Sequence, residues 1–329
     1  MSEPAYLPFL QQTLRYFDRP HDGPALTPVS SPAAWRRGDL ADARWRVRLT
    51  DDEVAELRRA VAAWLARSLP LAAMTKSDFP LPTLAARIRD WRDEVANGLG
   101  LQVISRVPVE AWSLEEASAF FWGLGQHLGR PGAQNRKGDL LGQVRDTGAD
   151  RTDRYVRQYM TTQDIPFHCD AADMVGLLCL RTAKSGGLSR IASSVSVYNE
   201  LLRRRPDLAS RLFEPFMLDT RDEAEANGVK ALPIPPCRYG GGVLRTFWHS
   251  EYFRTAQRHE GILLTDAEHE LLDLYDEISA SPEFHIDMAL EPGDVQLLSN
   301  HTVIHARTDY EDYPEEDRKR HLLRLWITL

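Results

Sequence analysis

The run Pro166-Phe167-His168-Cys169-Asp170 sets an imidazole and a carboxylate two positions apart, with a cysteine between them. Successive side chains of an extended chain point to opposite sides. Read as a strand, the run therefore puts His168 and Asp170 on one face, where both can reach one cation, and turns Cys169 to the other. Such a tripeptide arises by chance in a chain of this length, and a second one, His285-Ile286-Asp287, is present. The two differ in company. If the strands close into a jelly-roll, a third ligand must return from a strand far along the chain. His305 meets that requirement for His168 but lies too near His285 in the sequence. His285 and Asp287 are expected to be ordinary strand residues.

Outward from this run, short apolar stretches alternate with turns at 140–144, 175–180, 190–194, 243–248, 284–290, 295–298 and 322–329. Helical periodicity interrupts them at 197–205 and 265–278. Upstream, apolar residues Val54, Leu57, Val61, Leu65 and Leu69 recur at spacings of three and four, which predicts a helix over 51–69. A second helix is expected at 84–97, a strand at 101–108, and a helix to about 128 opened by the capping box Ser113-Leu-Glu-Glu116. Residues 1–50 show weak periodicity and read as an irregular arm. Many short strands after a helical third predict a β-sandwich or barrel with helices outside it. No repeat or low-complexity linker marks a boundary.

Of 329 residues, 43% are hydrophobic and 27% charged, which excludes a disordered or collagen-like chain. The net charge of −8, with no basic stripe interleaved with aromatics, argues against a nucleic-acid binder. No apolar run is long enough to span a membrane, and Met1-Ser-Glu-Pro-Ala-Tyr6 does not begin a signal peptide. The three cysteines, Cys169, Cys179 and Cys237, are too few for a disulfide scaffold and are expected as reduced thiols in a cytoplasmic protein.

A neutral imidazole pair with one carboxylate is the facial triad that holds Fe(II) and leaves positions open for O2 and a chelating cosubstrate. Arg320 and Arg324 follow His305 at even spacing, so one strand would turn both guanidinium groups to one side, opposite Leu323 and Leu325. A guanidinium pairs bidentately with a carboxylate, although Arg318 and Lys319 also fit a solvated basic face. His21, His127, His259 and His269 sit in polar or helical contexts and read as packed or solvated. Pro292-Gly-Asp294 reads as a turn entering a strand, Gly240-Gly-Gly242 as a hairpin turn, and Arg203-Arg-Arg205 as a helix end. Asn300 either hydrogen-bonds near the site or closes a strand-end turn.

From about Leu101 to the C-terminus the sequence resembles the taurine dioxygenase-like (TauD/TfdA) family of Fe(II)- and 2-oxoglutarate-dependent oxygenases. Four blocks carry the resemblance, in the family's order: His168-Cys-Asp170; Lys184-Ser-Gly-Gly-Leu-Ser189; Pro292-Gly-Asp294 with Asn300 before His305-Ala-Arg307; and Arg320-x-x-x-Arg324. The resemblance implies a mainly β fold with helices, built on a double-stranded β-helix (jelly-roll) core with an N-terminal helical extension. It implies iron held by His168, Asp170 and His305, and 2-oxoglutarate anchored at its distal carboxylate by Arg320. A hydroxyl, often from Thr, assists in the family, and Ser189 stands at that position. Arg324 matches a position that serves either the inner 2-oxoglutarate carboxylate or an anionic substrate group. The related halogenases carry Gly or Ala where this chain has Asp170, so halogenation is not expected.

The implied reaction hydroxylates a C–H bond of a small polar molecule, an amino acid or natural-product intermediate, with release of succinate and CO2. Desaturation, cyclisation or oxidative cleavage would use the same cofactors, and a jelly-roll binding protein or cupin-like isomerase is the reading from another class. The segments expected to line the substrate pocket offer Gln134, Asn135, Arg157, Gln163 and Asp164. Because His168 and His305 must meet at one metal, 1–329 is expected to be a single domain, with 101–329 as the core and 1–100 as arm and cover. The helices at 51–69 and 84–97 either cover the barrel or form the contact of a homo-oligomer.

Overall fold

The computed structural model describes residues 5–40, 45–149, 158–221 and 229–329. Two sheets form its centre. The larger runs β1 (Arg46–Arg48), β2 (Leu101–Ser105), β14 (Val295–Ser299), β6 (Met174–Arg181), β17 (His321–Thr328) and β3 (Arg130–Gly132), with β4 (Gly142–Val144) also paired to β17. The smaller runs β13 (His285–Met288), β8 (Ser189–Ser193), β15 (Val303–Arg307) and β5 (Ile165–His168). Strands distant in sequence are neighbours in space, as β14 is to both β2 and β6, and β15 to both β8 and β5. That winding is the double-stranded β-helix of a jelly-roll.

Strand alternation sorts the core into layers. Leu323, Leu325 and Ile327 of β17 pack outward beneath the helices Asp51–Leu65, Ala85–Asn97 and Leu114–Leu128. Leu322 and Trp326 of the same strand face inward and share a core with Ile191, Met288 and Val303 of the smaller sheet. The far face of the smaller sheet, with Ala192, Ile304 and Phe167, packs against the helices Ser194–Arg204, Ser250–Thr255 and Asp266–Ala280. The space between the sheets is therefore lined by alternate residues only, and any polar residue on those positions is committed to the interior.

Local sequence explains most boundaries. Thr50 with Glu53, Ser113 with Glu116 and Thr265 with Glu268 form reciprocal capping boxes that satisfy the first free N–H groups of three helices. Gly241 and Gly242, at φ of 59° and 78°, make the two-residue turn joining β11 (Cys237–Gly240) to β12 (Val243–Thr246), a conformation that favours glycine. The expected turn at Pro292-Gly-Asp294 is present, with the Asp294 N–H donating to the Glu291 carbonyl at 2.9 Å.

Three expectations need correction. Residues 1–50 are not wholly irregular, since Phe9–Phe17 is a helix and Arg46–Arg48 a strand. The helix hides its period because its buried residues are Gln12 and Tyr16, while Leu10 and Leu14 are exposed. The helix at Asp51 ends at Leu65 rather than 69, where Ser68 takes φ 53° just before Pro70. Arg320 lies immediately before β17 instead of within it, and the pairing with β6 shifts register between His321 and Leu322. Among the described residues no helix is long and apolar enough to cross a membrane.

Candidate metal centre

β5 and β15 lie side by side with His168 and His305 as direct cross-strand partners, and their rings are 4.3 Å apart between centroids. Asp170 follows β5 in a turn held by Asn300, whose Oδ1 accepts from the Asp170 N–H at 3.1 Å and whose Nδ2 donates to the Ala172 carbonyl at 2.8 Å. Tyr16, from the unforeseen helix, donates to the Asn300 carbonyl at 2.9 Å. Candidate ligand atoms of His168, Asp170 and His305 all lie within 4.8 Å of one another. His168 Nδ1 sits 2.9 Å from the Pro166 carbonyl, so Nδ1 carries the proton and Nε2 is left with its lone pair. Among the described residues Asp170 Oδ2 is buried with no hydrogen-bond donor. A buried carboxylate oxygen without a donor beside two imidazoles fits the ligand set of a cation.

The electrostatics agree with that reading. Burial pushes both imidazoles down, His305 to about 3, where the neighbouring His168 adds to the effect. Both are neutral at pH 7, the state in which imidazole binds a metal. Burial pushes the Asp170 carboxyl up, but the Arg324 guanidinium leads the interactions that outweigh it and hold the group below the usual carboxylate range.

Arg324 occupies an inward position of β17 and donates from Nη1 to Asp170 Oδ1 at 3.2 Å and from Nε to Gln134 Oε1 at 2.8 Å. Gln134 in turn donates to the Arg324 and Leu140 carbonyls. Tyr159 and Trp326 flank the guanidinium, their ring centroids 4.8 and 5.0 Å from Cζ. Ser189, on β8, donates to Gln296 Oε1 at 3.0 Å. Arg320 is buried against the Tyr310 ring, and among the described residues its Nη1 has no acceptor. Gly187 approaches so closely that an added Cβ would lie 3.1 Å from Arg320 Nε.

The expected substrate residues divide. Gln134 reaches the centre through Arg324. Asn135 instead closes its own loop on Asp139, and Gln163 and Asp164 are exposed. Arg157 lies outside the described residues. Cys169 points away from the centre, its sulfur 3.6 Å from the Thr246 carbonyl. The second His-x-Asp is structural: Arg190 grips Asp287 through Nε and Nη2 at 2.6 and 2.7 Å.

Sequence reading missed residues brought in by loops and neighbouring strands. His249 follows β12, and its ring lies 5.5 Å from that of His168 and 3.5 Å from that of Tyr252. Glu251 accepts from both Arg221 and Gln158 close by. No local pattern announces these contacts. Trp326 was within reach, since it shares the strand and face of Arg324.

Residues 66–326 match the family described as "Taurine catabolism dioxygenase TauD, TfdA family". The chain is 31% identical over 307 residues to FR-33289 synthase of Streptomyces rubellomurinus, covering 92% of this chain and 91% of that protein. It is 26% identical over 290 residues to the taurine hydroxylase-like protein SAT17 of Stachybotrys chartarum, covering 84% of this chain and 73% of that one. Among solved structures, asparagine oxygenase in complex with Fe(II), 2S,3S-3-hydroxyasparagine and succinate has the same fold, with TM-score 0.68 at 16% identity over 87% of this chain and 94% of that one. Fold and sequence agree: this chain belongs to the TauD/TfdA family of Fe(II)- and 2-oxoglutarate-dependent dioxygenases.

Proposed function

We propose that the protein hydroxylates an unactivated C–H bond of a small polar molecule bearing an acidic group, an amino acid or natural-product intermediate, and releases succinate and CO2. The observation that carries this reading is the convergence of His168, Asp170 and His305 from two adjacent strands, with a buried carboxylate oxygen left without a donor. His168, Asp170 and His305 would hold Fe(II). Bound there, iron supplies O2 activation coupled to oxidative decarboxylation of 2-oxoglutarate.

The chain's own residues divide the remaining work. The Pro166 carbonyl fixes the His168 tautomer, and Asn300 fixes the turn that aims Asp170. Arg320 is assigned the distal carboxylate of 2-oxoglutarate, with the Ser189 hydroxyl beside it. Arg324, locked by Gln134 and pressed between Tyr159 and Trp326, is assigned the acidic group of the substrate. The names of two relatives, a taurine hydroxylase-like protein and an asparagine oxygenase, support a small polar substrate. Apolar packing between the sheets and the rings beside Arg324 would limit the water that reaches the centre.

Two further readings complete the proposal. The chain is taken as one domain over 1–329, supported by Leu57 and Trp64 sharing a core with Leu297 and Leu325. It is taken as cytoplasmic, supported by three free, buried cysteines.

The test is succinate formation from 2-oxoglutarate with Fe(II) and O2 across a panel of amino acids and other acidic metabolites, followed by product mass. Gain of one oxygen atom by the substrate supports hydroxylation, whereas loss of two hydrogens would replace it by desaturation or ring closure. Asp170→Ala should abolish substrate-dependent succinate formation, and full turnover in that variant would sink the assignment. For Arg324, Arg324→Met should raise the substrate KM while leaving the affinity for 2-oxoglutarate alone unchanged.

A further inference from the structure

One arginine of the interior is not used by the reading above. Arg307 shares the inward face of β15 with His305, two residues away, and is the direct cross-strand partner of Ser189 on β8. Arg307 and Arg320 are each only 6% exposed. Both rest on one ring: Cζ of Arg307 lies 4.8 Å and Cζ of Arg320 5.1 Å from the Tyr310 centroid. Arg307 Nη2 donates to the Thr161 carbonyl at 2.8 Å and also to the Gln163 carbonyl. Among the described residues its Nε and Nη1 are buried with no acceptor, and so is Nη1 of Arg320.

Among the described residues no hydrogen-bond acceptor meets these donors. Asp312, the carboxylate beside them, gives Oδ1 to the backbone N–H of Arg320 at 2.7 Å rather than to a guanidinium. The Ser189 hydroxyl is turned to Gln296. Buried cations are costly unless paired, and each unmatched N–H adds a desolvation penalty. Two guanidinium groups converging on one tyrosine, with three idle donors and a hydroxyl across the strand, describe a pocket built for an anion with several acceptor oxygens.

We infer that Arg307 is a second cation of the cosubstrate pocket, so that the distal carboxylate of 2-oxoglutarate is gripped by Arg307 and Arg320 together. The inference rests on the assignment of Arg320 made above. It gives Arg307 two edges with separate duties. Nε and Nη1 face the carboxylate, while Nη2 holds the carbonyls of Thr161 and Gln163 in the segment that leads into β5 and His168. Such a pocket selects a 2-oxo diacid over a 2-oxo monoacid of the same length, because only the diacid supplies the missing acceptors.

The experiment is anaerobic titration calorimetry of the Fe(II)-loaded protein with 2-oxoglutarate and, separately, with 2-oxopentanoate, which keeps the metal-chelating end and lacks the distal carboxylate. Arg307→Gln should weaken 2-oxoglutarate by about 10- to 100-fold, the size of a lost hydrogen bond to a charged group, and leave 2-oxopentanoate unchanged. Arg307→Lys keeps the charge without the fork and should fall between. Equal weakening of both ligands by Arg307→Gln, or no weakening of either, would overturn the inference. Arg320→Gln separates the two levels. If it selectively weakens 2-oxoglutarate while Arg307→Gln does not, only the role of Arg307 fails. If Arg320→Gln leaves 2-oxoglutarate binding intact, the assignment of Arg320 fails as well. Thermal melts accompany each variant. Should Arg307→Gln not fold, the same pair of ligands is compared on Arg307→Lys.

Discussion

Asp170 meets several demands at once: its Oδ1 takes the Arg324 guanidinium, its Oδ2 stays bare, and its backbone N–H is held by Asn300. The position of Arg324 therefore matters twice, for the charge on the carboxylate and for whatever the guanidinium faces next. Gln134 sets that position through Oε1, which accepts from Arg324 Nε, and through Nε2, which donates to the Arg324 carbonyl. Gln134→Leu keeps the volume and removes those bonds. It should raise the substrate KM by about tenfold, the worth of a hydrogen bond to a charged group, with little change in the 2-oxoglutarate KM, as steady-state kinetics will show. At this scale the sequence was most legible where geometry is local. Alternation sorts His168 and Asp170 from Cys169, but the strand it assumes ends at His168, and Asp170 lies in the turn that follows. Gln134 could be named, but as a residue touching substrate, because nothing in the sequence says that its loop folds against β17. Asn135, its neighbour, bonds to Asp139 within its own turn.

Elements that carry strong local signals lie where the sequence predicts them, within a few residues. The three capping boxes and the strands at Val295, Val243 and Met174 are of this kind. Elements decided by tertiary contact were hidden, as the helix Phe9–Phe17 shows: its inward Tyr16 matters for Asn300, while its leucines face outward. The register shift between His321 and Leu322 is equally invisible, since it depends on the partner strand. The β11–β12 hairpin is an element whose turn can be tested directly. Gly242 sits at φ 78° with nothing near a Cβ, so Gly242→Ala adds strain without a clash. The variant should lose about 1–2 kcal/mol of stability in urea unfolding. Trp248, which follows this hairpin, accepts the Cys169 N–H at 2.8 Å, so the same variant should also loosen His168 and lower iron affinity.

For the whole molecule, burial depresses His168, His301, His305 and His321, with His305 held at about 3 and His321 at about 4. In the unfolded chain these groups return to about 6.5. Above that pH neither state binds their protons and they leave stability unchanged. Below it the unfolded chain takes up protons that the folded protein refuses, so stability falls as pH drops from about 6.5 towards 4. The metal-free protein should show a falling melting temperature over that window with proton uptake on unfolding, and a flat profile would contradict the burial of these rings. The net charge of −8 says nothing of this, because it counts histidine as neutral and does not locate charge. The few residues that matter, Arg307, Arg320 and Arg324, are gathered inside a protein that is acidic overall.

Among the described residues β5 is the outermost strand of its sheet, the position at which a sheet can take a further strand. It has four residues, and its second is the exposed Pro166, which has no N–H to offer. The residue whose carbonyl meets His168 is therefore also placed where a missing donor disfavours pairing with a further strand. Pro166→Val retains the carbonyl and restores the donor. Its iron affinity should stay near that of the parent, while light scattering should reveal concentration-dependent association stronger than the parent's.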